Sequence, residues 1–129
     1  MGNSKSLPIC SFEEVQEEIK SNNESFFINT LHESCQHCLI PGTLKAHEEE
    51  KKVNSLLSSK YKSKTKVVVY GKNNRDQTVY KKYTQFIKLG ITHVKIYAGG
   101  MFEWLLLQEV YGDKLFPTTG NEHDLLMFK

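Results

Sequence analysis

The sequence contains no long hydrophobic run and no strong excess of either charge. Its number of cysteines is odd. None of its apolar stretches approaches the roughly 20 residues that cross a bilayer. The net charge is +2, and the basic residues are scattered among acids without the basic stripe of a nucleic-acid-binding protein. The three cysteines, together with a polar N-terminus that predicts no signal peptide, indicate reduced thiols and a cytoplasmic location.

What remains is the composition of one soluble globular domain. The chain has 129 residues, of which 39% are hydrophobic and 25% charged. This length buries most of one core, and the balance of residue types is ordinary for a compact fold. We therefore expect residues 7–129 to form a single domain with its C-terminal tail packed on it.

The first six residues form a separate polar leader that fits the pattern for N-myristoylation. Gly2 would carry the acyl chain, and Ser6 occupies the serine position of the pattern. One acyl chain with only Lys5 as a basic supplement predicts weak, reversible membrane association. A flexible leader without an acyl chain fits the same residues.

Strand signals and helical signals alternate along the chain. β-Branched and aromatic runs predict strands, and apolar residues at helical spacing predict helices. The predicted strands cover 7–10, 26–28, 66–70 and 93–97, and the predicted helices cover 12–20, 46–59, 77–89 and 102–111. Ser11 is predicted to cap the first helix, and Pro41-Gly42 and Gly99-Gly100 are predicted turns. This alternation predicts an α/β fold with a central parallel sheet of about five strands and helices on both faces.

The stretch from Lys66 to Leu89 contains the best candidate site. A buried strand leads into the polar loop Gly71–Arg75, and Asp76 is predicted to be the N-cap of the following helix. A strand, a short loop and a helix N-terminus together form a concave group of backbone N–H donors. In open α/β sheets, ligands bind in the crevice outside the carboxyl ends of the strands, where such a loop lies.

The last predicted helix, 102–111, is apolar nearly all round. We expect Phe102, Leu105, Leu106 and Val110 to point inward. The tail, through 115–117 and 125–128, is predicted to cover a second face of this helix. A face for a partner or for a second copy of the chain is the alternative.

Five short motifs, in one order and at consistent spacing, resemble the rhodanese-like family. They lie between Ile9 and Gly112 and comprise Phe27-Ile28-Asn29-Thr30, Ile40-Pro41-Gly42-Thr43, Val67-Val68-Val69-Tyr70, Leu89-Gly90-Ile91 with His93-Val94, and Gly99-Gly100 with Trp104. The resemblance implies a single-domain rhodanese-like fold, whose active members transfer sulfur through a loop cysteine that carries a persulfide.

The resemblance also shows where this chain departs from an active member. Gly71 stands at the position that the family implies for the nucleophilic cysteine, and glycine offers no nucleophile. Asp76 stands where a basic loop residue is common, while Asn29 and Leu31 replace an acidic residue and an arginine. The resemblance therefore implies a catalytically inactive member with no catalytic residue and no cofactor, acting as a binding or regulatory module.

The loop itself could still bind a small anion. It comprises Gly71, Lys72, Asn73, Asn74, Arg75 and Asp76, and Lys72 and Arg75 add positive charge to its amides. Against this interpretation, the carboxylate of Asp76 can satisfy the amides internally. A turn with solvated charges, an anion site and a site for an acidic protein partner all remain open.

The segment from His32 to Cys38 is the second candidate. Cys35 and Cys38 with His32 and His37 supply ligand types that suit zinc, although all four would come from one short loop. The two cysteines could alternatively form a redox or sulfur-transfer pair. Because the family alignment places Cys38 in the core, we favour buried structural thiols and predict no metal.

Overall fold

The computed structural model describes residues 7–21, 25–60 and 64–129. The leader with Gly2, and Tyr61 of the linker before the central strand, lie outside the described residues. Within them, four parallel strands form one sheet in the order β1-β4-β3-β2. The strands are β1 (Ile9–Cys10), β2 (Phe26–Asn29), β3 (Val67–Tyr70) and β4 (Val94–Tyr97).

Helices cover both faces of the sheet. The four helices are α1 (Phe12–Lys20), α2 (Ala46–Leu57), α3 (Thr78–Lys88) and α4 (Gly100–Tyr111), and short 3₁₀ turns span Glu33–Cys35 and Leu125–Phe128. Ser11 caps α1 by accepting a hydrogen bond from the Glu14 amide, as its sequence predicts. The α/β class, with a parallel sheet between helices, is confirmed.

Alternation along the strands divides the core into two halves. Val67 and Val69 of β3 face α2 and α3, where they meet Leu56 and Phe86. Val68 and Tyr70 face the opposite side, which holds α1, α4 and the tail. Because both faces are covered, the strand reads as a continuous apolar run rather than an alternating one.

Within the described residues the sheet has four strands, one fewer than the expected count of about five. The segment predicted to turn at Pro41-Gly42 reaches the sheet edge as a single parallel bridge between Thr43 and Phe27. The Leu44 amide donates to the Phe27 carbonyl at 3.0 Å, but Pro41 has no N–H, and Gly42 has φ +90°. The bridge is therefore limited on one side by the turn at Pro41-Gly42 and on the other by the start of α2 at Ala46, so no fifth strand forms.

The inward face of α4 also differs from the prediction. Leu105 is buried as expected and Phe102 is half-buried, but Leu106 and Val110 are 45% and 67% exposed. Met101 and Trp104 fill the core in their place. An almost uniformly apolar helix has no periodicity that selects a face, so packing against the sheet and the tail decides it.

The C-terminal tail supplies buried contacts to α4. Phe116 and Phe128 are both buried, and the ring of Phe116 meets the indole of Trp104 edge-on at 5.0 Å. The Trp104 indole N–H donates to the Pro117 carbonyl at 2.9 Å. The tail therefore closes the core on the α1 and α4 side.

The four α-helices of the described residues span 9 to 12 residues each. None of them combines the length and the apolar character that crossing a bilayer requires.

Candidate functional site

The loop between β3 and α3 is organised by the carboxylate of Asp76. Its Oδ2 accepts the Lys72 amide at 2.9 Å, and its Oδ1 accepts the Thr78 amide at 3.0 Å. The helix begins at Thr78 with Gln77 as N-cap, so the predicted N-cap at Asp76 is wrong by one residue. Asp76 nevertheless provides the negative charge at this helix N-terminus and ties it to the start of the loop.

The space beside Gly71 is filled. A β-carbon at this position would lie 2.4 Å from Asp76 Oδ2, 2.6 Å from Val79 Cγ2 and 2.7 Å from Thr30 Oγ1. The Thr78 hydroxyl holds two of these neighbours in place, since it donates to Asp76 Oδ1 at 2.5 Å and contacts Thr30 Oγ1 at 2.8 Å. No side chain, including that of cysteine, fits at position 71 unless these groups move.

The start of α4 closes the loop from the other side. The Met101 and Phe102 amides donate to the carbonyls of Gly71 and Lys72 at 3.0 Å and 2.9 Å. Gly100 has φ +66°, and a β-carbon there would lie 2.7 Å from the Gly71 carbonyl oxygen. Glycine is therefore required at position 100 both for its backbone conformation and for the close approach of the loop.

The side chain of Asn73 connects the middle of the loop to the C-terminal tail by hydrogen bonds. Its Oδ1 accepts the Arg75 amide at 2.9 Å, and its Nδ2 donates to the Phe128 carbonyl at 2.8 Å. The Asp76 amide donates to the Asn73 carbonyl at 3.2 Å. Lys72 is half-buried, whereas Asn74 and Arg75 are exposed. The amides of Lys72, Arg75, Asp76 and Thr78 are thus all used within the protein.

A family model for the rhodanese-like domain matches residues 13–107. The chain belongs to the rhodanese-like family. The match runs from α1 into α4 and includes the whole loop, so the family expectation at Gly71 falls within the matched region. A search of curated proteins found no match to the chain.

The rhodanese-like departures at the end of β2 have a structural explanation. Asn29 is buried, and its Oδ1 accepts the Leu31 amide at 3.0 Å. Leu31 is also buried and packs in the core with α1 and α4. These two residues turn the chain after β2, and neither presents a charge to the loop.

The segment from His32 to Cys38 does not bring its four predicted ligands together. In the described part of the chain, no group of three or more histidine, cysteine and acidic side chains could hold a metal ion. His32 accepts the Ser34 amide through Nδ1 at 3.2 Å, whereas His37 Nε2 lies 2.7 Å from Glu122 Oε1 in the tail. The two histidines therefore have separate structural partners.

The two cysteines of this segment have different surroundings. Cys35 ends a 3₁₀ turn and is half-buried, whereas Cys38 is fully buried with its Sγ 3.5 Å from the Gly120 carbonyl. Burial raises the pKa of the Cys38 thiol, which disfavours the reactive thiolate. Both are free thiols, as is the buried Cys10.

Sequence reasoning did not identify three residues that pack against the loop. Thr30 and Thr78 carry no local signal, because their hydroxyls meet only when β2 and α3 are brought side by side. Gly100 was visible as part of a Gly-Gly turn, but its contact with the Gly71 carbonyl depends on the tertiary fold. For Asp76 the sequence predicts a capping residue whose carboxylate can satisfy loop amides, and the structure identifies those amides as Lys72 and Thr78.

Proposed function

We propose that this rhodanese-like protein is a non-catalytic module that acts by binding a protein partner. The observation that supports this proposal is the filled space beside Gly71. If glycine at position 71 were the only difference from an active member, the loop would lack the nucleophile but would keep an empty pocket beside that position. Here Asp76, Val79 and Thr30 occupy the volume that a side chain at position 71 would need.

The chemistry of sulfur transfer explains why this filling matters. The thiolate must attack a sulfane sulfur and then hold a persulfide, which needs room for two sulfur atoms and free amide donors for the anion. In this loop the Lys72 amide already donates to the carboxylate of Asp76. That carboxylate would also repel an anionic sulfur donor such as thiosulfate.

The same contacts weigh against the loop as an anion site. Asp76 supplies a resident negative charge at the N-terminus of α3, where an external anion would otherwise bind. A sulfate or phosphate titration that follows the amide resonances of Lys72 to Asp76 tests this point. We expect no saturable shifts, and saturable shifts would restore the anion-binding alternative.

A thiosulfate–cyanide assay on the reduced protein tests the proposal directly. We expect no turnover by the wild-type chain under conditions in which an active rhodanese serves as positive control. Turnover that disappears in a Cys35→Ser/Cys38→Ser variant would favour the alternative of sulfur or redox chemistry at those thiols. Turnover that persists in that variant would contradict a non-catalytic role altogether.

A further inference from the structure

Every connection that leads from an α-helix into a strand carries lysine. Lysine is the last residue of α1 and of α3, and three more lysines lie between α2 and β3; the five are Lys20, Lys60, Lys64, Lys66 and Lys88. All five residues are exposed. Because the strands are parallel, these connections all lie at the amino end of the sheet. The five residues, distant in the sequence, together form the lysine-rich end of the domain.

The lysine-rich end carries an excess of positive charge. No described residue of the three connections has a carboxylate. Two carboxylates of α1, those of Glu17 and Glu18, lie near Lys66, and Glu18 Oε1 is 3.4 Å from its ammonium. The lysines that form no ion pair with a described residue are Lys20, Lys64 and Lys88. Their charges therefore remain available to an anionic partner.

The N-terminal leader joins the domain at this same end. Ile9 of β1 and Val69 of β3 both pair with Ile96 of β4, so β1 and β3 lie two strand spacings, about 10 Å, apart. Leu7, two residues before Ile9, is therefore level with the start of β3, which directly follows Lys66. Leu7 is 44% exposed, so an apolar side chain accompanies the lysines at the point where the leader begins.

The leader fits the pattern for an acyl chain on Gly2. Gly2 precedes Leu7 by five residues, which span at most about 18 Å when extended, so an acyl chain there stays close to the lysines. A single myristoyl chain gives only marginal membrane binding, and stable anchoring needs a second signal such as a basic patch. The leader supplies only Lys5, whereas the folded domain supplies the lysine-rich end beside it.

We propose that the lysine-rich end binds an anionic bilayer together with an N-myristoyl group on Gly2. The lysines contact the acidic headgroups while the acyl chain enters the hydrocarbon region. The loop from Gly71 to Asp76 lies at the carboxyl end of β3 and therefore faces away from the bilayer. This inference rests on acylation of Gly2, and it is independent of the function proposed for the loop.

The test is co-sedimentation of the protein with lipid vesicles after co-expression with an N-myristoyltransferase, with acylation checked by mass spectrometry. Vesicles of phosphatidylcholine alone are compared with phosphatidylcholine vesicles that contain about 30% phosphatidylserine. We expect the acylated protein to bind the anionic vesicles at least tenfold more tightly, and the difference to vanish in high salt because the lysine charges are screened. Equal affinity for both kinds of vesicle, or failure of the enzyme to acylate the chain, would overturn the proposal.

Two double variants identify the surface that binds. Lys64→Gln/Lys88→Gln removes two exposed charges from the lysine-rich end, and we expect its acylated form to bind the anionic vesicles at least fivefold more weakly. Its weak affinity for phosphatidylcholine vesicles should be unchanged, because the acyl chain remains. Lys45→Gln/Lys81→Gln is the matched control, since it removes two exposed charges near the N-terminal ends of α2 and α3, at the opposite end of the sheet. It should keep the wild-type affinity.

The outcomes separate this surface from an effect of net charge. Equal losses of affinity in the two double variants would show that net charge alone decides binding and would contradict the assignment of the lysine-rich end. Gly2→Ala, which cannot be acylated, should lose most of its binding, and wild-type affinity in that variant would contradict the role of the acyl chain. The salt dependence of the wild-type protein tests the proposal even if a lysine variant fails to fold.

Discussion

At the scale of single residues, Asp76 accounts for most of the structure of the loop between β3 and α3. One carboxylate accepts amides from both ends of the loop, Lys72 and Thr78, and its Oδ2 also fills the space beside Gly71. The glycine at position 71 and this carboxylate are therefore coupled features. A cysteine placed at position 71 would clash with this carboxylate unless the carboxylate moved.

Gly71→Ala tests this crowding. We expect it to lower the free energy of unfolding by about 1–3 kcal/mol, the usual cost of overpacking a buried site. Urea unfolding monitored by circular dichroism provides the measurement. An unchanged or increased stability would show that the neighbours of Gly71 move aside freely.

A double-mutant cycle assigns the crowding to its source. Because Asp76 Oδ2 is the nearest neighbour, Gly71→Ala/Asp76→Ala should be less destabilised than the sum of the two single changes, by about 1 kcal/mol. Val79 Cγ2 and Thr30 Oγ1 remain close in the double variant, so the relief should be partial. Additive effects would place the clash at those two residues instead.

The three thiols allow a second prediction at this scale. Cys10 and Cys38 are 4% and 0% exposed, whereas Cys35 is half-buried. We therefore expect one thiol to react with a disulfide reagent in the native reduced protein and three after unfolding, and Cys35→Ser should abolish the native reaction. Fast reaction of two native thiols would favour the redox alternative at Cys35 and Cys38.

At the scale of elements, the tail and α4 depend on each other. The tail places Phe128 in the core, and the Phe128 carbonyl accepts a hydrogen bond from Asn73 Nδ2, so the element that covers α4 also fixes the loop. Phe116 and Pro117 hold Trp104 from the opposite end of the tail. The tail is thus an integral layer of the fold on this side of the sheet.

Phe128→Ala measures this contribution. Removing a fully buried phenylalanine usually costs about 3–5 kcal/mol, and we expect a loss in that range by urea unfolding. Leu126→Ala, in the same 3₁₀ turn but 72% exposed, is the control and should change stability by less than about 0.5 kcal/mol. Similar effects of the two changes would show that the tail contributes little to the core.

The elements also show what local sequence can and cannot predict. The β-branched run of β3 and the Ser11 cap of α1 are strong local signals, and both are found where they were expected. The buried face of α4 could not be read, because nearly every residue of the helix is apolar and only the tail decides which are covered. The contact of Thr30 with Thr78 depends on the packing of β2 beside α3 and has no local signal.

At the scale of the whole molecule, the core keeps several groups protonated. Burial raises the pKa of Cys10, Cys38, Tyr70 and Tyr97 above their ordinary values. In the unfolded chain these groups ionise at lower pH than in the native protein. Their contribution to stability is therefore complete below about pH 9 and is lost as the pH rises toward the native values.

Cys10 gives the clearest window for this effect. Burial raises its pKa from 9.0 to about 12, so the unfolded state releases this proton between those values while the native state retains it. We expect the free energy of unfolding to fall above pH 9, by up to roughly 1.4 kcal/mol per pH unit for this one group. The measurement is a series of urea unfolding curves from pH 7 to about 10.5 under reducing conditions.

Cys10→Ala provides the comparison for that series. It should flatten the alkaline slope, whatever its effect on stability at pH 7, because the variant has no proton to lose at this position. Identical slopes for the wild type and the variant would show that Cys10 does not contribute to the alkaline loss.

The contacts of Trp104 with the tail have a practical consequence for the choice of shorter fragments for expression. The family match stops at residue 107, inside α4, whereas Phe116 and Phe128 lie beyond it. A fragment cut at that boundary would leave the indole and its neighbours in water and would be prone to aggregate during expression. We therefore expect the smallest stably folded piece of this protein to be longer than the residues that the family model matches.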